Sequence, residues 1–257
     1  MTTQKNEHTR GYAAPMWHAL RRWLLFGQLA VILMFNLSAF PQKAVTNSWE
    51  QFRGPNGAGI ISGAELPENW SATKPTLLWT MDVGNGFSEV AVKNDVVYIQ
   101  SGDTLDGGYE FLAALNAETG EELWKTRIDS LWIEIDGWGH GPRSTPAIGD
   151  EMVYCLSGCG RFCALSLGNG EIAWSTSLVS DFGANTPRWG FSTSPVLIED
   201  MVILETGGTE QRAVTAFDAK TGDIRWSKAT GPASYCTPAI VELEGRQQLV
   251  FALDTML

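Results

Sequence analysis

The sequence predicts an all-β fold built from repeated four-stranded units, and three observations carry that expectation. An eleven-residue phrase closing on tryptophan occurs at residues 114–124, 164–174 and 216–226, with spacings of 50 and 52 residues. Each copy places a glycine (Gly120, Gly170, Gly222) four positions before its tryptophan (Trp124, Trp174, Trp226). Between the copies run short β-rich stretches broken by Gly or Asx turns, and helical periodicity is absent after residue 46. Self-similarity at this period means stacked supersecondary units, each burying its faces against its neighbours.

The elements follow in order. Lys5, Arg10, Arg21 and Arg22 precede an apolar run over 23–35, so residues 1–45 read as a secretory signal peptide. An uncleaved N-terminal membrane anchor is the alternative, because the apolar stretch continues to Phe40. Either reading exports the chain to the periplasm or leaves it anchored and facing outward. Residues 46–80 form a lead-in segment that ends in a strand carrying Trp79, 45 residues before Trp124.

Residues 81–257 hold the repeats. In the unit over 141–178, strands are expected at 143–148, 152–156, 162–166 and 171–175, with turns at 149–151, 158–160 and 167–170. Four short antiparallel strands per period are the cue for a β-propeller blade. The cycle recurs over 96–124, with an insertion at 103–109, and over 201–226. A fourth unit starts at 233 and runs into a turn at Asp254-Thr255, with Met256-Leu257 the last residues. Three complete blades and part of a fourth do not close a ring, so a C-terminally truncated chain is expected.

The phrase has a local physical basis. Gly admits the positive φ of a tight turn, and the Asx or Thr before it can bond its own backbone. Trp79, Trp124, Trp174 and Trp226 would then point into the seams between blades, burying the ring while the indole N–H finds a carbonyl.

Composition narrows the function. The net charge is −11 and the pI about 4.7, which excludes nucleic acid as a partner, since phosphate contacts need a basic surface. Only His140 lies beyond the leader, so a multi-His metal site is excluded. Cys155, Cys159, Cys163 and Cys236 match no zinc spacing and read as free thiols, although Cys155 and Cys163 could approach across one hairpin.

The phrase over 114–124, the lead-in stretches 49–57 and 66–70, and the blade motifs at 141–146, 189–195 and 246–250 resemble those of exported bacterial proteins built from pyrroloquinoline-quinone (PQQ) type repeats. The resemblance covers residues 49–257 and implies a quinoprotein alcohol dehydrogenase-like propeller of seven or eight blades, of which this chain would supply about half. Its members include both enzymes and scaffolds. One implied role is that of the propeller subunit of an outer-membrane protein assembly machine, a lipoprotein, whereas this chain has no Cys after its apolar run. The other is a PQQ-dependent alcohol or sugar dehydrogenase. That chemistry implies a calcium site, a catalytic Asp, an adjacent Cys-Cys pair and a Trp floor, and this sequence has no Cys-Cys pair.

In a propeller the first strand of each blade lines the channel, and the loop before it opens on one face. This places Glu89, His140, Arg143, Arg188, Trp189 and Tyr235 at the channel rim as candidate ligand-binding residues. Charge at the axis needs a partner, and Arg143 paired with Glu89 or Asp136 would supply a structural one. An aromatic beside a cation could instead stack on a planar quinone or a peptide. No catalytic residue or metal ligand is assigned. The leading expectation is a non-catalytic scaffold binding a protein or small ligand on one face, with membrane attachment through the leader. A dehydrogenase using PQQ with calcium is the alternative.

Overall fold

The computed structural model describes residues 48–55, 57–61 and 67–253. The leader over 1–45, with its signal-or-anchor alternative, lies outside the described residues, as do Asp254 to Leu257.

The fold is all-β, and its strands form propeller blades. Blade one comprises β1 (Ala91–Lys93), β2 (Val96–Asp103), β3 (Tyr109–Asn116) and β4 (Glu122–Ser130). Blade two comprises β5 (Ala147–Ile148), β6 (Met152–Leu156), β7 (Arg161–Ser166) and β8 (Ile172–Ser177). Blade three comprises β9 (Val196–Ile198), β10 (Met201–Gly208), β11 (Arg212–Asp218) and β12 (Ile224–Lys228), and a hairpin of β13 (Ala239–Leu243) and β14 (Arg246–Val250) begins a fourth. Each of the first three is an antiparallel meander with its strands in sequence order. The expected insertion in blade one folds as a short 3-10 turn, Leu105–Gly107.

One strand is shorter than its sequence suggests. Residues 143–148 were expected to pair throughout, yet only Ala147–Ile148 does. Pro146 has no N–H to give the ladder, and Thr145 donates its N–H sideways to Ser194 Oγ in the next blade (2.9 Å). The segment around Trp79 likewise has no sheet partner among the described residues.

The blades are joined by a repeated tryptophan contact. Trp79 Nε1 donates to Ala117 O (2.9 Å), Trp124 Nε1 to Leu167 O (3.0 Å) and Trp174 Nε1 to Ala219 O (3.2 Å). Beneath these rings lie Gly120, Gly170 and Gly222, all at positive φ, where an added Cβ would come within 2.5–2.7 Å of the indole. Glycine is thus required twice, by the turn and by the ring above it. Trp226 packs beside Ile203, Val214 and Leu253, and the fourth-blade turn that would receive its N–H has no counterpart among the described residues.

A bulge recurs one residue before each phrase tryptophan. Ala114 pairs with Trp124 but Leu115 with Glu122, and Ala164/Leu165 and Ala216/Phe217 repeat the shift. The bulge twists the outer strand and aims the indole at the adjoining blade. Among the described residues three cores form, the largest from Leu156, Phe162, Val202, Leu204 and Phe217 with Trp174 against them.

Candidate functional site

The loops before β1, β5, β9 and β13 gather at one end of the blades. Their spacing is set by a ladder of hydroxyls. Glu89 N donates to Thr145 Oγ1 (3.1 Å), Thr145 N to Ser194 Oγ (2.9 Å), and Ser194 N to Thr237 Oγ1 (3.0 Å). Each blade therefore satisfies a backbone donor of the blade before it, which fixes the register of the inner strands.

The expected pairing of Arg143 with Glu89 or Asp136 does not occur. Glu89 Oε2 accepts the backbone N–H of Arg53 (2.9 Å) and so ties down the lead-in segment. Asp136 accepts Arg188 Nε and Nη2 (2.8 Å each) and Trp189 Nε1 (2.9 Å). The Arg188 bond, then the Trp189 bond, hold the Asp136 carboxyl down to about 2. Arg143 donates instead to the carbonyls of Gly139 (3.0 Å) and Gly141 (3.1 Å) and lies 4.9 Å from the Phe87 ring centre. A bidentate fork on Asp136 suits Arg188 because the 131–141 loop carries that carboxylate toward the next blade.

That loop is pinned from inside. Glu134 is buried, and its two carboxylate oxygens accept the N–H groups of Asp136 (2.7 Å) and Trp138 (2.8 Å). Burial pushes this carboxyl up, but the N–H groups of Asp136, Trp138 and Gly137 outweigh it and leave it below its ordinary value. His140 Nδ1 accepts the N–H of Glu134 (3.1 Å), which places the ring proton on Nε2 and uses the imidazole as a loop fastener. Fixed in this way, the loop holds Ile135 and Trp138 at 85% and 72% exposure.

Trp138, Arg143, Trp189, Ser192 and Tyr235 line an open pocket of about 400 Å³. Trp189 and Tyr235 stand 5.2 Å apart, tilted by 43°, and Trp189 N donates to Tyr235 Oη (3.3 Å). Ser192 Oγ is shielded from solvent and has no hydrogen-bond partner among the described residues. Of the six rim candidates, Arg143, Trp189 and Tyr235 thus meet at one pocket. Arg188 braces it through Asp136, His140 braces the loop, and Glu89 lies apart, its carboxylate tied to Arg53 of the lead-in segment.

Sequence reasoning missed Glu134. Its signal was an acid inside the apolar run Trp132-Ile133-Glu134-Ile135. Among the described residues no three His, Cys, Asp or Glu side chains converge as a metal ion requires. The described rim residues Glu89, His140, Arg143, Arg188, Trp189 and Tyr235 do not form the calcium ligand set that a PQQ enzyme implies. A second cavity, about 590 Å³, lies at the opposite end of the strands. There Lys93 bonds Gly149 O (2.7 Å) and sits 3.5 Å from both Glu50 and Asp150, a tie between blades. All four cysteines are free, and Cys155 and Cys163 face each other, buried, across β6 and β7.

The family profile described as outer membrane protein assembly factor BamB matches residues 69–188 and 110–255. The outer membrane protein assembly factor BamB of Escherichia coli (strain K12) is 27% identical over 172 residues, covering 63% of this chain and 38% of that protein. The dehydrogenase subunit of the quinone-type alcohol dehydrogenase of Komagataeibacter europaeus is 24% identical over 245 residues, covering 83% of this chain and 31% of that one. The crystal structure of BamB from Moraxella catarrhalis aligns over 62% of this chain and 41% of its own, with 21% identity and a TM-score of 0.40. The chain therefore spans well under half the length of each of these relatives.

Proposed function

This chain belongs to the family described as outer membrane protein assembly factor BamB, and from that premise we propose that it is an exported, non-catalytic propeller scaffold whose rim face binds a protein partner. The observation that carries the reading is the 131–141 loop. It is fastened internally by Glu134 and His140, yet it presents Ile135 and Trp138 to solvent. Apolar side chains held out on a rigid loop form a preorganised interface, since little ordering entropy remains to be lost on binding. The basic and apolar leader supports export, and the assembly-factor relatives point to a partner in outer-membrane protein assembly.

The second reading, a quinone-dependent dehydrogenase, is favoured by the Komagataeibacter europaeus match, which extends over most of this chain. Against it stand the rim residues, which fasten loops and one another rather than forming a donor set. Two experiments separate the readings. Tagged full chain, purified from the envelope of its own host, is expected to carry a protein partner. The Ile135→Asp/Trp138→Ala double variant is expected to recover about tenfold less of it. Titration with PQQ and calcium is expected to give no dye reduction, and saturable reduction would overturn the scaffold reading.

A further inference from the structure

Arg143 is the unusual charge on this face. The chain is strongly acidic, and Arg188, its neighbour on the rim, is neutralised by Asp136. Arg143 has no carboxylate within ion-pair distance among the described residues; its guanidinium is held by the Gly139 and Gly141 carbonyls and the Phe87 ring. Those contacts fix its orientation without cancelling its charge. It lines a pocket whose other walls are Trp138, Trp189, Ser192 and Tyr235. Ile133 and Ile135 of the same loop are also exposed. An occupant covering the pocket and these side chains is an extended chain rather than a compact small molecule.

We infer that this pocket receives an aromatic side chain from an acidic segment of the partner protein, with a neighbouring carboxylate of that segment held by Arg143. The inference rests on the scaffold reading and gives its partner a chemistry. Aromatic rings pack against the tilted Trp189–Tyr235 pair and the exposed Trp138. The fixed guanidinium fork accepts a carboxylate in a bidentate arrangement.

The test uses the full chain and a fluorescein-labelled peptide carrying phenylalanine between two aspartates. Anisotropy is expected to show saturable binding that weakens as salt rises, because part of the attraction is charge at a solvent-facing site. Replacing both aspartates by lysine is expected to weaken binding at least about tenfold, and replacing phenylalanine by alanine similarly. Arg143→Gln should remove the preference for the acidic peptide. Arg143→Lys should keep the preference while lowering affinity, which separates lost charge from a disturbed loop. Trp138→Ala should weaken both peptides alike. Equal binding of acidic and basic peptides overturns the inference, as does an absence of binding to the wild-type chain at millimolar peptide. If either occurs while the envelope partner still co-purifies with wild type and not with the double variant, the scaffold reading stands and only the partner's chemistry is wrong. If co-purification also fails, both fall.

Discussion

Single residues decide how tightly the blades close on one another. Gly170 combines a positive φ with a Trp124 ring where its Cβ would sit. Gly170→Ala is expected to cost about 2–4 kcal/mol in denaturant unfolding, from strained backbone and overpacking together. Glu110 is a different kind of residue. Fully buried on β3, it accepts N–H bonds from Gly158 in the next blade (3.1 Å) and from Trp132 (3.2 Å). Burial raises its carboxyl from 4.5 to about 7; the Gly158 and Trp132 bonds oppose this, and Asp129 adds to it. The folded state therefore holds a proton that the unfolded chain releases near 4.5, and stability falls as pH rises between those two values. The favourable contribution is complete below the lower value and lost above the upper one. Urea unfolding at pH 5 and pH 8 should reveal about 2–3 kcal/mol of this loss. Glu110→Gln should flatten the difference, and an unchanged slope in that variant would assign the pH dependence elsewhere.

At the scale of elements, the tryptophan ladder and the hydroxyl ladder do separate work. The first ties outer strands to the next blade's turn, and the second ties the inner segments of successive blades. Trp174→Ala should cost about 3–5 kcal/mol, since the ring packs on Phe162, Phe217 and Tyr154, whereas Trp174→Phe should cost less while losing the bond to Ala219 O. Ser194→Ala strands the Thr145 N–H and should cost about 1–3 kcal/mol, with Ser194→Thr largely neutral. Much of this was legible in the sequence. The 50-residue period, the turn glycines and the strand pattern mark the blades, because local turn chemistry and burial set them. The bulge before each tryptophan was not legible, since it shows only when two strands are paired and their registers compared. The short β5 was half legible: Pro146 stood in plain view, but the acceptor that diverts Thr145 N–H lies 49 residues away.

At the scale of the whole molecule, the same limit explains the candidate site. Glu89, Arg143 and Asp136 were recognisable as charges near an axis, but their partners depend on how three loops from different blades meet. Arg188 from the third blade's loop reaches Asp136 before Arg143 can, and Arg143 turns to the carbonyls of its own loop. What emerges is a face whose polar groups hold its loops still while its apolar ones stay exposed. The most direct test of that face is site-specific photocrosslinking in living cells, with the photoreactive residue at Ile135 or, as a control, at Asp150 on the opposite end. Binding through the rim is expected to give a discrete protein adduct from position 135 and none from position 150. Adducts of equal yield from both positions, or none from position 135, would contradict it.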